Sequence, residues 1–272
     1  MPVDQITLTA ATRASLTTQQ SLAASTAKHS QNLSTGKKIS RVTDDAVAFY
    51  AARALSERSS DLGAVKDSVG QGISTINAAQ VGADSVNALV GQLKGLATAA
   101  LASSDATERA SLASQYNQTL SQVDSLVKDA SYGGVNLLSS SSSSLTVSFG
   151  ASTGDSLSVS PQDLSASSLG LSAVAADGSS FSTSTLTALD NAAKTVSSAA
   201  SNLGANVSAL SIRAEAAQNQ ANIATAGAAN LTEANLNEEG ASLLAAQTRS
   251  QLARAGQSVS QQQQSALLTL FK

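Results

Sequence analysis

The chain has 272 residues and a formal net charge of −3, with its Lys and Arg scattered, so it offers no clustered basic face for nucleic acid. Hydrophobic residues make up 42% but aromatics only 3%, and much of the apolar content is alanine, which buries too little area per residue to fill conventional globular cores. With no Cys and a single His, a disulfide framework, a thiolate metal site, a zinc-protease motif and Cys–His or Ser–His–Asp chemistry are all poorly supplied.

In chain order, residues 1–8 read as an extended start, and helix is predicted from about Thr9 to Leu33. Its apolar marks, Leu16, Leu22, Ala23, Ala27 and Leu33, are sparse among Ser, Thr and Gln, so the segment is marginal as a helix without packing. Ser34-Thr35-Gly36 is a stop signal, and residues 37–43 form a connector. Thr43 before Asp44-Asp45 reads as a helix start, a hydroxyl cap with carboxylates in the first turn where the helix dipole favours them. Helix then runs through 44–57 and, after an adjustment near Ser59-Ser60, to about Ala102.

That stretch carries an uninterrupted 3-4 apolar spacing: Leu62, Val65, Val69, Gly72, Ile76, Ala79, Ala83, Val86, Val90, Leu93, Ala97, Ala100. Only Gly72 breaks the series, and Ile73 beside it can fill in. A second stretch does the same with Leu186, Leu189, Ala193, Val196, Ala200, Leu203, Val207, Leu210, Ala214, Ala217, Ala221 and Ala224. A strict stripe of this kind is a seam for another helix, and at 1.5 Å per residue each would make a rod of about 57 Å. The seam positions that matter most are Val69, Ile76, Val86 and Val90 on the first and Leu189, Val196, Leu203 and Leu210 on the second.

Between the two seams, Ser103-Ser104-Asp105 breaks the first rod and caps a helix over 106–130, with Leu112, Tyr116, Leu120, Val123, Val127 and Ala130 in 3-4 spacing. Tyr132-Gly133-Gly134 ends it. Residues 139–144 are six consecutive Ser, a flexible-linker composition. The alternating runs at 145–149 and 156–160, joined by a turn at 151–155, give a small β-hairpin. Phe149, Phe181 and Tyr132 are read as local core around it, and a loop rich in Ser, Gly and Ala fills 161–184. Residues 228–240 blur the heptads, and a last helix runs from about Glu238 to Leu270. The fold class is mainly α: an elongated antiparallel helical bundle with coiled-coil seams and a small β-hairpin region. Weak helices lie at both ends of the chain, with seams inside them and the β insert between the seams. Few prolines, two in all, suit the long helices.

Particular words in this arrangement resemble bacterial flagellins. They are LSTGKKISRVTDDAVAFYAARAL at 33–55, YGGVNLL at 132–138, and the tail from NLTEAN at 230 to Lys272, in which Gln251 to Val259 follows the family's final-helix pattern. Two departures stand out: the family's variable outer domains are reduced to roughly 139–184, and four Gln at 261–264 replace the usual closing pattern. The resemblance implies a domain plan. Residues 1–36 and 236–272 would be terminal helices of an inner axial layer, and 37–43 and 228–235 connectors. Residues 44–138 and 185–227 would form an outer-layer bundle, and 139–184 would stand in for the variable domains. Self-assembly through the axial layer would then draw on Leu16, Leu22, Leu33, Leu236, Leu243, Leu252, Val259, Leu267 and Leu270.

The function implied is that of a structural subunit of the flagellar filament, secreted and polymerising into a helical tube for swimming motility. The implied partners are copies of itself, the flagellar type III export apparatus, an export chaperone, the filament cap and the hook–filament junction proteins. No cofactor is implied, and no nucleic acid. The N-terminus lacks the basic-then-apolar pattern of a cleavable signal, and no window reaches eighteen apolar residues, so membrane insertion is not expected. An innate-immune Toll-like receptor reads an Arg, a Leu and a Glu on many flagellins. Matching the segment at 89–98 puts Gln92 at the Arg position and Leu96 at the Leu, and Gln115 falls near the Glu position. With both charged contacts neutral, weak or absent receptor activation is expected.

Bland readings stand beside these. Asp44-Asp45 is a capped helix start more readily than a metal site, since no third ligand is near. His29 is read as solvated or at a subunit contact, and Arg53, Arg58, Arg213, Arg249 and Arg254 as solvated or inter-subunit pairs. Ser and Thr at 139–184 are candidates for surface glycans. The alternatives to a filament subunit are a hook–filament junction protein and a secreted coiled-coil binding module. An enzyme is the weakest case, because the catalytic inventory is nearly empty.

Overall fold

Alanine-rich, proline-poor sequence makes long helices, and five of them carry the fold of the described residues. A computed structural model describes residues 10–140, 144–150 and 155–270, with backbone alone at 11, 264 and 267–270. The helices are α1 (Ala10–Thr35), α2 (Ala46–Ala102), α3 (Ala106–Asp129), α4 (Thr183–Thr232) and α5 (Leu236–Leu270). Two antiparallel strand pairs sit between α3 and α4: β1 (Ser131–Tyr132) with β2 (Val135–Asn136), and β3 (Leu145–Ser148) with β4 (Ser156–Val159). The mainly α class holds, with two small strand pairs where the sequence reading had one. The extended start at 1–8, the middle of the Ser run and most of the 151–155 turn lie outside the described residues.

The helix boundaries differ from expectation for local reasons. Asp45, not Thr43, caps α2: its carboxylate accepts from the Ala48 amide at 3.0 Å. Asp44 turns back instead, accepting from the Ser40 and Arg41 amides at 3.0 Å each, and those two bonds hold its carboxyl below the ordinary range. Helix α2 runs unbroken through Ser59-Ser60, where the Ser59 hydroxyl donates to the Ala221 carbonyl at 3.2 Å. Helix α5 begins at Leu236, two residues before the expected Glu238, because Asn235 is the cap: its side-chain oxygen accepts from the Asn237 and Glu238 amides.

The chain divides into two compact units. One is Arg58–Ile223; the other comprises the described residues of Met1–Glu57 and Ala224–Lys272.

The Arg58–Ile223 unit holds the true apolar core. On α2, Val69, Ile76, Ala79, Ala83, Val86, Val90, Leu93, Ala97 and Ala100 are all buried, one face at alternating three- and four-residue steps. Helix α3, capped by Asp105, adds Ala113, Tyr116, Leu120, Val123 and Val127. Helix α4 lies antiparallel beside α2, linked by Lys66 to Gln218 at 2.8 Å and Lys94 to Asp190 at 2.5 Å. Its stripe is wider than a strict seam. Leu189, Val196, Leu203 and Leu210 are buried as in the spacing, but so are Ala192 and Ala199, while Ala193 and Ala200 are only partly covered. One continuous cluster draws on α2, α3, α4 and the 160–182 segment together, so α4 faces more than one neighbour.

That segment has irregular backbone yet forms a wall of the core. Leu164, Ala166, Leu169, Leu171, Val174 and Phe181 are buried. The Asn117 side chain binds both the amide and the carbonyl of Val174, at 2.9 Å each, and Asp124 accepts from the Ala166 amide at 2.8 Å. These bonds satisfy backbone groups that no strand or helix pairs. The three aromatics expected around the hairpin are dispersed instead. Phe181 meets Tyr116 edge-on at 5.5 Å, Phe149 lies 4.4 Å beneath the Arg213 guanidinium, and Tyr132 is half-exposed.

Gly133 and Gly134 do more than stop a helix. With φ of +58° and +82° they make the two-residue turn that pairs β1 with β2. In β3, buried Val147 alternates with exposed Thr146 and Ser148 and points at Gly72 of α2. The hairpin fills the space over Gly72, while Ile73 beside it is partly buried against the same core.

The other unit joins α1 and α5 to the adjoining ends of α2 and α4. Its connectors pair through the Lys37–Glu233 bridge, with the Lys38 amide donating to the Thr232 carbonyl at 2.8 Å and the Ala234 amide to the Gly36 carbonyl at 2.9 Å. Among the described residues, the buried apolar ones here are all alanine: Ala52, Ala224, Ala228 and Ala246. No large side chain among the described residues of this unit is fully buried.

Candidate functional site

Helices α1 and α5 meet along faces that are mostly polar. On α1 a stripe of covered residues runs at three- and four-residue steps through Thr12, Ser15, Gln19, Leu22, Thr26, His29 and Asn32, with Ser25 and Gln31 covered beside it. On α5 they are Glu239, Ser242, Leu243, Ala246, Ser250, Ala253 and Gln257. Glu239 accepts from His29 Nδ1 through one carboxylate oxygen at 2.5 Å and from Asn32 Nδ2 through the other at 2.9 Å. The His29 bond first, then the Asn32 bond, holds the Glu239 carboxyl below the ordinary range. Gln19 and Gln257 pair through their amides further along. His29 is therefore paired within the chain, with about a quarter of its side chain still exposed. Among the arginines, Arg53 pairs with Glu57 one turn on, and Arg213 covers Phe149.

Apart from Leu22, Leu243 and the covered alanines, the large apolar residues of this pair point the other way. Leu252 is 67% exposed and Leu244 65%, and Leu16, Leu33, Leu236 and Val259 are exposed too. Val47 and Tyr50 at the start of α2 add to the same unit's apolar surface. A soluble helix pair normally turns its apolar stripe inward and its polar residues out. Here that polarity is inverted. Such a surface can do no bond chemistry; what it can do is be covered. Among the described residues there is no group of three or more His, Cys, Asp and Glu that could hold a metal ion.

Of the residues singled out from sequence, Leu22 and Leu243 lie between α1 and α5, whereas Leu16, Leu33, Leu236, Leu252 and Val259 face outward. The side chains of Leu267 and Leu270 lie outside the described residues. Gln92 on α2 and Gln115 on α3 are exposed, and Leu96 is half-buried. Sequence reasoning passed over Asn32, Glu239 and Leu244. The signal for the first two was present: polar residues at 3-4 spacing are also a seam.

The sequence model for the bacterial flagellin N-terminal helical region matches residues 6–143, half of the chain. The chain belongs to the bacterial flagellin family. Flagellin FljN of Caulobacter vibrioides is 30% identical over 247 residues, 89% of each chain, and flagellin FljK of the same organism is 26% identical over 247 residues, again 89% of each chain. The solved flagellin of Bacillus cereus shares the fold, with a TM-score of 0.50 at 18% identity over 55% of this chain and 88% of that one. Like other flagellins, this chain is a structural subunit of the flagellar filament, the extracellular assembly of bacterial motility. No helix among the described residues is long and apolar enough to cross a membrane.

Proposed function

We propose that α1 and α5 form the inner layer of the filament and the Arg58–Ile223 unit the layer around it. The observation that carries this is the inverted polarity of the α1–α5 pair. Its polar stripe is spent within the subunit, which leaves Leu16, Leu33, Leu236, Leu244, Leu252 and Val259 for neighbouring copies to cover. An alanine-only interior supplies little burial of its own, so ordering these helices depends on assembly.

The same exposed leucines would need shielding before assembly. That makes an export chaperone, the export apparatus, the filament cap and the junction proteins the fitting partners of the unassembled chain.

Sedimentation and electron microscopy test the layer assignment. Covering one leucine is worth about 1.5–3 kcal/mol. Leu244→Ser with Leu252→Ser should therefore raise the critical concentration for filament formation at least tenfold without loss of the core unit's helicity. Filaments forming at the parent concentration would refute it. For the receptor surface, neutral exposed Gln92 and Gln115 support weak or absent activation of the flagellin-sensing Toll-like receptor. A reporter response at nanomolar protein would overturn that reading.

A further inference from the structure

Beyond the helix ends, the connector bonds of Gly36 with Ala234 and of Lys38 with Thr232 join α1 to α5 in one register, but along the facing sides of the helices little fixes one axial position. Ser15, Thr26, Ser242, Ala246, Ser250 and Ala253 are small and similar in size. A shift by one turn, about 5.4 Å, would exchange one such contact for another. Large knobs, which specify register in ordinary coiled coils, are missing apart from Leu22 and Leu243.

One cluster does not tolerate a shift. Asn32 is 8% exposed and the Glu239 side chain 15%, so their polar atoms are largely withdrawn from water. His29 and Asn32 lie one turn apart on α1 and each holds a different oxygen of the same carboxylate. Sliding α5 by a turn in either direction breaks both bonds and leaves a nearly buried amide without its carboxylate partner. Glu239 also sits in the first turn of α5, where the helix dipole favours a carboxylate, so the contact is tied to a fixed point of that helix. The Gln19–Gln257 pair, exchangeable in either sense, follows from the register and does not dictate it.

We propose that Glu239, gripped by His29 and Asn32, is the positioning residue that carries the axial register from the connector bonds onto the facing sides of α1 and α5. It thereby sets the stagger at which the outward leucines of the two helices are offered to neighbours. This rests on the inner-layer reading above.

The chain has no Cys, so spin labels can be placed cleanly at two exposed positions staggered by about two turns along the axis, Ser21→Cys on α1 and Gln262→Cys on α5. Doubly labelled chains are diluted into unlabelled filaments and the intramolecular distance is measured. The parent should give one narrow distance, and Glu239→Gln, which keeps an oxygen for Asn32, should keep it. Glu239→Ala should add a second population whose distance differs by a few ångströms, the projection of a one-turn slide of about 5.4 Å, and should raise the critical concentration several-fold. If Glu239→Ala does not enter filaments, Asn32→Ala and His29→Ala carry the test, each removing one grip. A broadened or second distance in either supports the assignment. A single unchanged distance in the assembled Glu239→Ala chain, or in both single-grip variants, overturns it. A parent chain that forms no filament overturns the inner-layer reading and this proposal with it, a result distinct from a parent filament whose register ignores Glu239.

Discussion

A methyl group added at Gly72 collides with the β3–β4 hairpin. A Cβ there would sit 2.5 Å from Val147 Cγ2 and 3.5 Å from Cγ1. Val147 is a buried, β-branched side chain with little rotational freedom, so the strand must lift away or the helix must bend. Replacing Gly by Ala inside a helix gains about 1 kcal/mol, while forcing one extra methyl into a filled site costs about 1–3 kcal/mol. Gly70, two residues earlier on α2, is exposed and has nothing within 4 Å of the same hypothetical atom. Gly70→Ala should therefore be about 1–3 kcal/mol more stable than Gly72→Ala. For a unit of this size that is roughly 2–4 °C per kcal/mol in the upper unfolding transition of the full-length monomer. Calorimetry of the two variants measures it. Removing both Val147 methyls by Val147→Ala should spare much of the penalty in Gly72→Ala, and a double-mutant cycle reads that coupling. If both glycine variants raise the transition equally, the hairpin is not seated on Gly72.

Two further outcomes follow from named contacts. Asn117→Ala removes both bonds to Val174, at about 1–3 kcal/mol for buried polar groups left unpaired, and should speed amide exchange at Val174; unchanged protection there would contradict the tether. The Glu239 carboxyl is held below its ordinary pKa of 4.5 by His29 and then Asn32, so its contribution is complete above that value and lost as pH falls through the lower folded value. Filaments should accordingly weaken below about pH 4.5, and Glu239→Gln should flatten that acid limb in light scattering between pH 6 and 3. Superimposable acid limbs would contradict the linkage.

Much of the fold is written in spacing. The α2 seam can be read position by position from Val69 to Ala100 because one helix face meets one continuous core. The same rule misjudges α4, where Ala192 and Ala199 displace Ala193 and Ala200. The extra neighbour is the 160–182 segment, whose packing depends on Asn117 and Asp124, over forty residues away. Composition marks that segment as a Ser-rich loop; its buried Leu164, Leu169 and Leu171 make it core. In the α1–α5 pair, the search for leucines located the surface offered to other copies but not the face shared within the subunit. His29 and Glu239 lie 210 residues apart, and nothing local in either stretch announces the other. Asp45 was misassigned for a simpler reason: Thr43, Asp44 and Asp45 are all competent caps, and the backbone turn at residues 40–44 decides among them.

Amide hydrogen exchange at Leu16, Leu252 and Val259, compared between free chain and filament, probes the inverted helix pair most directly. Leucines left uncovered by their own subunit predict fast exchange at all three in the monomer and strong protection once the chain has assembled. Equal protection in both states would mean that α1 and α5 are stable without neighbours, and would contradict the account.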